Sequence, residues 1–180
     1  MSFLTKLPPQ AVLLDLFKTF PETSKPLLAY HEVLMRGASP LSIAERELIA
    51  AFVSALNACH YCHGVHEATA RQFGIGAQTL AGLLVDIDRA AVADPIKPLL
   101  RYVKKLTLDP SRMTASDADA VHAAGWDDRA LHDAVSVCAL FNLMNRLVAG
   151  TGIDAGGEYF ERAAKRLHDG GYGVLLKMLE

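Results

Sequence analysis

The sequence predicts an all-α protein. Apolar residues recur at helical spacing along nearly the whole chain, strand-like alternation of β-branched residues is almost absent, and glycine and proline punctuate the periodic segments. A first amphipathic segment runs from about Ala11 to Thr19, and Pro21 opens a second that reaches about Met35 before Gly37 and Pro40 interrupt it. Ser42 followed by Glu45 fits a capping box, which fixes the start of the third helix. There Leu48, Ile49, Phe52, Val53 and Leu56 form a wide apolar stripe, and Ala44, Ala51 and Ala55 make a row of small residues around one acid, Glu47. Asn57 is placed as the N-cap of a fourth helix that runs to about Phe73 and stops at Gly74.

Beyond it the sequence predicts a short helix near Ala77–Leu84, another from about Pro95 to Leu106, and a connector with a short helix between Ser111 and Ala124. The segment from Asp127 to Ala149 is apolar on most faces, as expected of a central buried helix, and Gly150 and Gly152 stop it. Trp126 and Asp127 anchor its start. A terminal amphipathic helix, about Glu158 to Leu167, precedes Gly170, Gly171, Gly173 and a short apolar tail. No internal repeat, linker or low-complexity tract divides the chain. The expectation is one helical domain over residues 1–180, with helices from 1–40 and 127–180 packed on a core segment of about 41–73.

Composition narrows the function. The 180 residues are 51% apolar, enough for one sizeable core and too few for two full domains. Eighteen basic and twenty acidic side chains nearly cancel, and no basic stripe is present to hold a phosphate backbone, so nucleic acid is excluded as the expected partner. No stretch reaches the roughly 18 uninterrupted apolar residues of a membrane span, and residues 1–10 carry one lysine without a long apolar run. The expected location is the cytoplasm. Three cysteines there are not a disulfide framework, so the close pair points to redox or metal chemistry.

That chemistry is concentrated in one stretch: Glu47, eleven residues, Cys59, two residues, Cys62, three residues, His66. A dithiol can reduce an oxidant without a cofactor, one thiolate attacking and the other closing a disulfide. If Cys59 sits in the first turn of its helix, the free amides there favour its thiolate, and Cys62 lies one turn on along the same side. His66, four residues beyond Cys62, faces it along the helix and is placed to activate it. Two roles are open to Glu47: orienting His66, or shuttling the proton that the leaving oxygen needs when a peroxide bond breaks.

This constellation resembles the AhpD-like alkylhydroperoxidases of the carboxymuconolactone decarboxylase superfamily. The likeness runs from about Leu41 to Phe73, and the stretch ALNACHYCHGVH with the later FNLMNR at Phe141–Arg146 is similar to the branch of peroxidase-related enzymes. The resemblance implies an all-helical, AhpD-like bundle that assembles as a homo-oligomer, whether dimer, trimer or hexamer. It also implies disulfide-based reduction of organic hydroperoxides. In that scheme Cys62 attacks the peroxide and Cys59 resolves the sulfenic acid, with reduction by a lipoylated or thioredoxin-like dithiol partner and no bound cofactor or metal. The chain departs from the family pattern at Tyr61, where the best-known members carry a histidine, with His60 one place earlier. A step of one residue turns the side chain by about 100°, so His60 does not simply substitute; Tyr61 either donates through its hydroxyl or packs.

Other readings compete. A zinc site could draw on Cys59, Cys62 and one or two of His60, His63 and His66, but needs ligands from beyond this helix. CxxCH also spells a haem attachment signature, which belongs to exported proteins. A redox-sensing module would cycle its dithiol once without turning over, and the decarboxylases of the superfamily work without a cysteine pair. Cys138 reads as a buried structural thiol. Asn142 and Asn145 share its helical row and either pin neighbouring helices, the preferred reading, or line a pocket beside the dithiol. His31, His122, His132 and His168 are scattered singly and carry no assigned chemistry.

Overall fold

The computed structural model describes residues 1–180. Ten α-helices and one short 3-10 turn account for its regular structure: α1 (Leu13–Thr19), α2 (Pro21–Arg36), α3 (Ile43–Leu56), α4 (His60–Gln72), α5 (Thr79–Val85), α6 (Ile96–Leu108), the turn at Pro110–Arg112, α7 (Ala115–Ala123), α8 (Asp128–Thr151), α9 (Gly157–Gly170) and α10 (Gly173–Lys177). The helical class is as the sequence predicts, and most boundaries fall within a few residues of those expected.

The middle of the molecule is α3. Its chain is buried continuously from Arg46 to Ser54, and it packs on α4, α5, α6 and α8. The capping box forms as expected, with Ser42 Oγ accepting from the Glu45 amide at 3.2 Å and Glu45 Oε2 accepting from the Ser42 amide at 2.7 Å. Expectation and structure part here: α8, read as the central helix, keeps part of its surface outside, with Leu143 51% exposed. The reason is side-chain size. Ala50, Ala51 and Ala55 thin α3 enough for neighbours to close on it from every side, so its polar residues are enclosed with the rest. By length and composition alone α8 could cross a bilayer; here its apolar residues Val137, Leu140, Phe141, Met144 and Val148 join the protein core.

Enclosed polar side chains nearly all find partners, Arg36 Nε and His63 Nδ1 being the atoms left without one. Arg46 donates from Nη1 to the carbonyls of Leu34 (2.7 Å) and Gly37 (2.9 Å), satisfying the free end of α2. Asp133 on α8 accepts from Ser39 Oγ at 2.6 Å and from Arg129 Nε at 2.9 Å, which fastens the α2–α3 connection. Asp127 caps α8 by accepting from the Ala130 amide at 2.8 Å, while the Trp126 indole donates to the Pro95 carbonyl at 2.7 Å. Helices α4 and α9 meet closely because Gly64 has no side chain: a Cβ there would lie 2.3 Å from Phe160 Cε2. Gly171, at φ +63°, turns the chain so that the Tyr172 and Gly173 amides donate to Glu32 Oε2 at 2.7 and 2.8 Å, which sets Tyr172 against α2.

Candidate active site

The connection between α3 and α4 is three residues, Asn57 to Cys59, and it is tight enough to hold Ala58 at φ +53°. The N-cap of α4 is Cys59, not Asn57 as the sequence predicts. Asn57 instead ends α3, and its side-chain amide donates to Asn145 Oδ1 (2.9 Å) and Asn142 Oδ1 (3.1 Å) on α8. Cap propensity lost to a tertiary partner: the buried amide of Asn145 and the half-buried one of Asn142 on α8 offered acceptors, and Asn57 lay opposite them. Asn142 and Asn145 therefore pin α8 to the end of α3, and Asn145 also donates to Ser54 Oγ at 3.0 Å.

All three cysteines are free and buried. Cys59, at the N-terminus of α4, faces the thiol and amide of Cys62; these favour its thiolate against the cost of burial, Asn145 adds to the effect, and the pKa comes down to about 7. The same pairing with Cys59 and the burial of its own sulfur push Cys62 up. One negative charge shared by two sulfurs sits on Cys59. Cys138 is packed against Thr107, whose hydroxyl lies 3.3 Å from its sulfur, and burial raises its pKa.

Glu47 is wholly enclosed and accepts on both oxygens. Oε2 takes the Nδ1 proton of His66 at 2.7 Å; Oε1 takes Arg36 Nη1 at 2.7 Å and the Tyr172 hydroxyl at 3.3 Å. Burial alone would raise its pKa, but His66 and Arg36 outweigh that and hold the carboxyl below its usual range. Arg36 is fixed in turn by the Leu167 carbonyl at 3.0 Å and by the ring faces of Tyr172 and Phe73, whose centroids lie 5.0 and 5.3 Å away. With Nδ1 committed to Glu47, the His66 ring presents Nε2 as its working atom.

Cys62 and His66, one helical turn apart, both line a partly open cavity of about 60 Å³. Its walls are almost entirely apolar, from Leu13 and Phe17 (α1), Leu28 (α2), Val65 (α4), Phe141 and Met144 (α8) and Leu175 (α10). His31 and Tyr172 line it beside His66, and Arg166 and Tyr159 add polar groups from α9. Cys59 stays outside this wall. Tyr61 lines the cavity, but its hydroxyl lies 2.6 Å from that of Tyr159 and accepts from the Leu13 amide at 3.4 Å, so it packs α4 against α9 and α1. His60 points to the surface, pairs with Asp154 at 2.8 Å and meets the Phe160 ring edge-to-face. No three His, Cys, Asp or Glu side chains converge as a metal-holding group.

The structure thus brings Glu47, His66, Cys59 and Cys62 together with Asn145, keeps Tyr61 at the wall and turns His60 away. Sequence reasoning missed Arg36, Tyr172 and His31. One signal was available for the first two: an acid on an otherwise apolar helix needs a cation or hydrogen-bond donors if it is buried. His31 left no such trace.

Residues 21–95 match the carboxymuconolactone decarboxylase family. None of the curated proteins matches the sequence. Among solved structures, the chain is similar to an uncharacterized peroxidase-related protein from Silicibacter sp. TM1040, with 29% identity, 82% of this chain and 78% of that one covered, and a TM-score of 0.76. It is similar as well to an uncharacterized peroxidase-related protein with an alkylhydroperoxidase AhpD core from Ralstonia eutropha JMP134, with 25% identity, coverage of 81% and 77%, and a TM-score of 0.75. A protein of unknown function from Agrobacterium tumefaciens shares the fold at 19% identity, with coverage of 81% and 99% and a TM-score of 0.67. The matched segment holds Arg36, Glu47, both clustered thiols and His66, and the surrounding helices recur in the peroxidase-related structures; over that segment the chain is similar to the carboxymuconolactone decarboxylase family, and its fold is that of the AhpD-like, peroxidase-related structures.

Proposed function

We propose that the protein is a thiol peroxidase that reduces organic hydroperoxides through a Cys59–Cys62 disulfide. The observation that carries this reading is the division of labour between the sulfurs: Cys62 opens on the apolar cavity beside His66, while the thiolate charge rests on Cys59 just outside it. The peroxidase-related names of the two similar structures support it further.

The Cys59 thiolate takes the Cys62 proton as the Cys62 sulfur attacks the terminal oxygen of the hydroperoxide. The O–O bond breaks, the departing alkoxide receives a proton from Nε2 of protonated His66, and an alcohol leaves. Cys62 is now a sulfenic acid. Cys59 attacks its sulfur, the hydroxyl departs with the Cys59 proton as water, and the disulfide closes. Glu47 holds the His66 ring in place and keeps Nε2 turned to the reacting oxygen. An external dithiol, lipoylated or thioredoxin-like, restores both thiols by two exchange steps, in a reducing compartment such as the cytoplasm.

Assembly with further copies belongs to the same proposal. Phe3 and Val33 (both 71% exposed), Leu143 (51%) and Tyr30 (47%) leave apolar surface uncovered, and sedimentation tests it. For the activity itself, hydroperoxide consumption is followed with excess dithiol. Many equivalents consumed per protein, and none by Cys62→Ser, are expected. A single equivalent without turnover would make the dithiol a one-cycle redox sensor.

A further inference from the structure

The cavity beside Cys62 contains a second imidazole that the steps above leave unused. His31, on α2, is 3% exposed and lines the same wall as Cys62 and His66. Its Nδ1 stands 2.8 Å from the Leu27 carbonyl, and since a carbonyl can only accept, Nδ1 carries the proton. No protein group bonds to Nε2, which is not sealed off, and the ring lines the cavity.

We infer that His31 is a substrate-orienting residue whose Nε2 accepts the hydrogen bond of the hydroperoxide's terminal O–H, setting the O–O bond between the Cys62 sulfur and His66. The inference rests on the peroxidase reading of Cys62. Its logic is hydrogen-bond accounting in a largely apolar site. A hydroperoxide brings exactly one donor hydrogen, and that hydrogen stays on the terminal oxygen through the attack, to become the sulfenic acid hydroxyl. Among apolar walls it needs an acceptor. The Tyr61 hydroxyl is taken up by Tyr159 and the Leu13 amide, and the Tyr172 hydroxyl, donated to Glu47, keeps only a phenolic oxygen, a weaker acceptor than an imidazole nitrogen. His66 must donate to the leaving oxygen. His31 remains.

The two imidazoles are suited to opposite tasks. His66 has a carboxylate behind it. His31 has a carbonyl behind it and His66 nearby; burial and the His66 charge outweigh the help of the Leu27 carbonyl and Glu47, bringing its pKa down to about 4 and keeping it a neutral acceptor at physiological pH. Its ring is held by Tyr172 and Phe141, at centroid distances of 5.0 and 6.1 Å. The substrate class follows: compact apolar hydroperoxides with a free O–H, in preference to dialkyl peroxides, which have none to give.

The test compares the rate of Cys59–Cys62 disulfide formation in reduced, full-length protein with two oxidants. Cumene hydroperoxide carries the O–H; diamide closes the same disulfide without one. His31→Phe should slow the hydroperoxide reaction about 10- to 100-fold and leave the diamide reaction unchanged, and His31→Gln, whose carbonyl oxygen replaces the acceptor, should recover most of the loss. If His31→Phe does not fold, His31→Met makes the same comparison. Equal hydroperoxide rates in wild type and His31→Phe, or equal slowing with both oxidants, would overturn the assignment while leaving the peroxidase reading intact. Wild-type protein that closes its disulfide with diamide but never with hydroperoxide would remove that reading and this inference together.

Discussion

His66 donates from Nδ1 to Oε2 of Glu47 at 2.7 Å, across nineteen residues of sequence and wholly inside the protein. The carboxylate therefore has two duties, aiming the imidazole and neutralising Arg36. Glu47→Gln keeps the shape and removes the charge. A buried ion pair broken on one side costs about 3 kcal/mol or more, so urea unfolding should show a loss of that order. Hydroperoxide-driven thiol oxidation should slow in the protein that remains folded. Full stability in Glu47→Gln would mean that Arg36 is neutralised by another group.

The buried imidazole of His31 gives stability a pH dependence of definite sign. Its folded pKa of about 4 lies below the ordinary value of 6.5, so between those values the unfolded chain binds more protons than the folded one. Stability attributable to His31 is then full above about pH 6.5 and is lost as pH falls toward 4. The limit is about 3 kcal/mol, from 1.36 kcal/mol per unit. Glu47, held below its usual range, adds its own loss at lower pH still. Urea unfolding at a series of pH values should show the decline, and His31→Gln should flatten the upper part of it.

Cys59 and Cys62 should titrate as a pair with one thiolate appearing near pH 7. Ultraviolet thiolate absorbance and the pH dependence of alkylation both read it. Cys59→Ser should remove this ionisation, and Asn145→Ala should move it upward, because the Asn145 amide favours the thiolate. A lowest thiol titration near the ordinary cysteine value would contradict the charge distribution on which the proton transfer depends.

Much of this site could be read from spacing, because its core is local. Cys59, Cys62 and His66 lie on one helix and its cap, Glu47 on the helix before, and the Ser42–Glu45 box set where that helix begins. Local periodicity carries such information well. The supporting groups arrive by packing: Arg36 from the last turn of α2, where it resembles any surface arginine, and Tyr172 from a glycine-rich segment 125 residues beyond Glu47. Asn57 shows the limit from the other side. Its type and position argue for a cap, and only the facing pair on α8 reveals what it binds.

Close approach of α4 and α9 depends on Gly64, since an added Cβ would meet the Phe160 ring at 2.3 Å. Gly64→Ala should destabilise the protein by about 1–3 kcal/mol through overpacking. Phe160→Leu in the same background should return part of that loss, as a double-mutant cycle in urea would show. Additive losses would place the strain elsewhere.

The most direct test of the peroxidase reading is intact mass with peptide mapping of reduced, metal-free protein before and after one equivalent of cumene hydroperoxide. Loss of two hydrogens, mapped to a Cys59–Cys62 disulfide, is the predicted result, with Cys59→Ser oxidised only slowly, and then at Cys62 without a disulfide, because the base that takes the Cys62 proton is gone, and with Cys62→Ser unreactive. Unchanged thiols in folded wild-type protein, or oxidation that proceeds at Cys59 without Cys62, would contradict it.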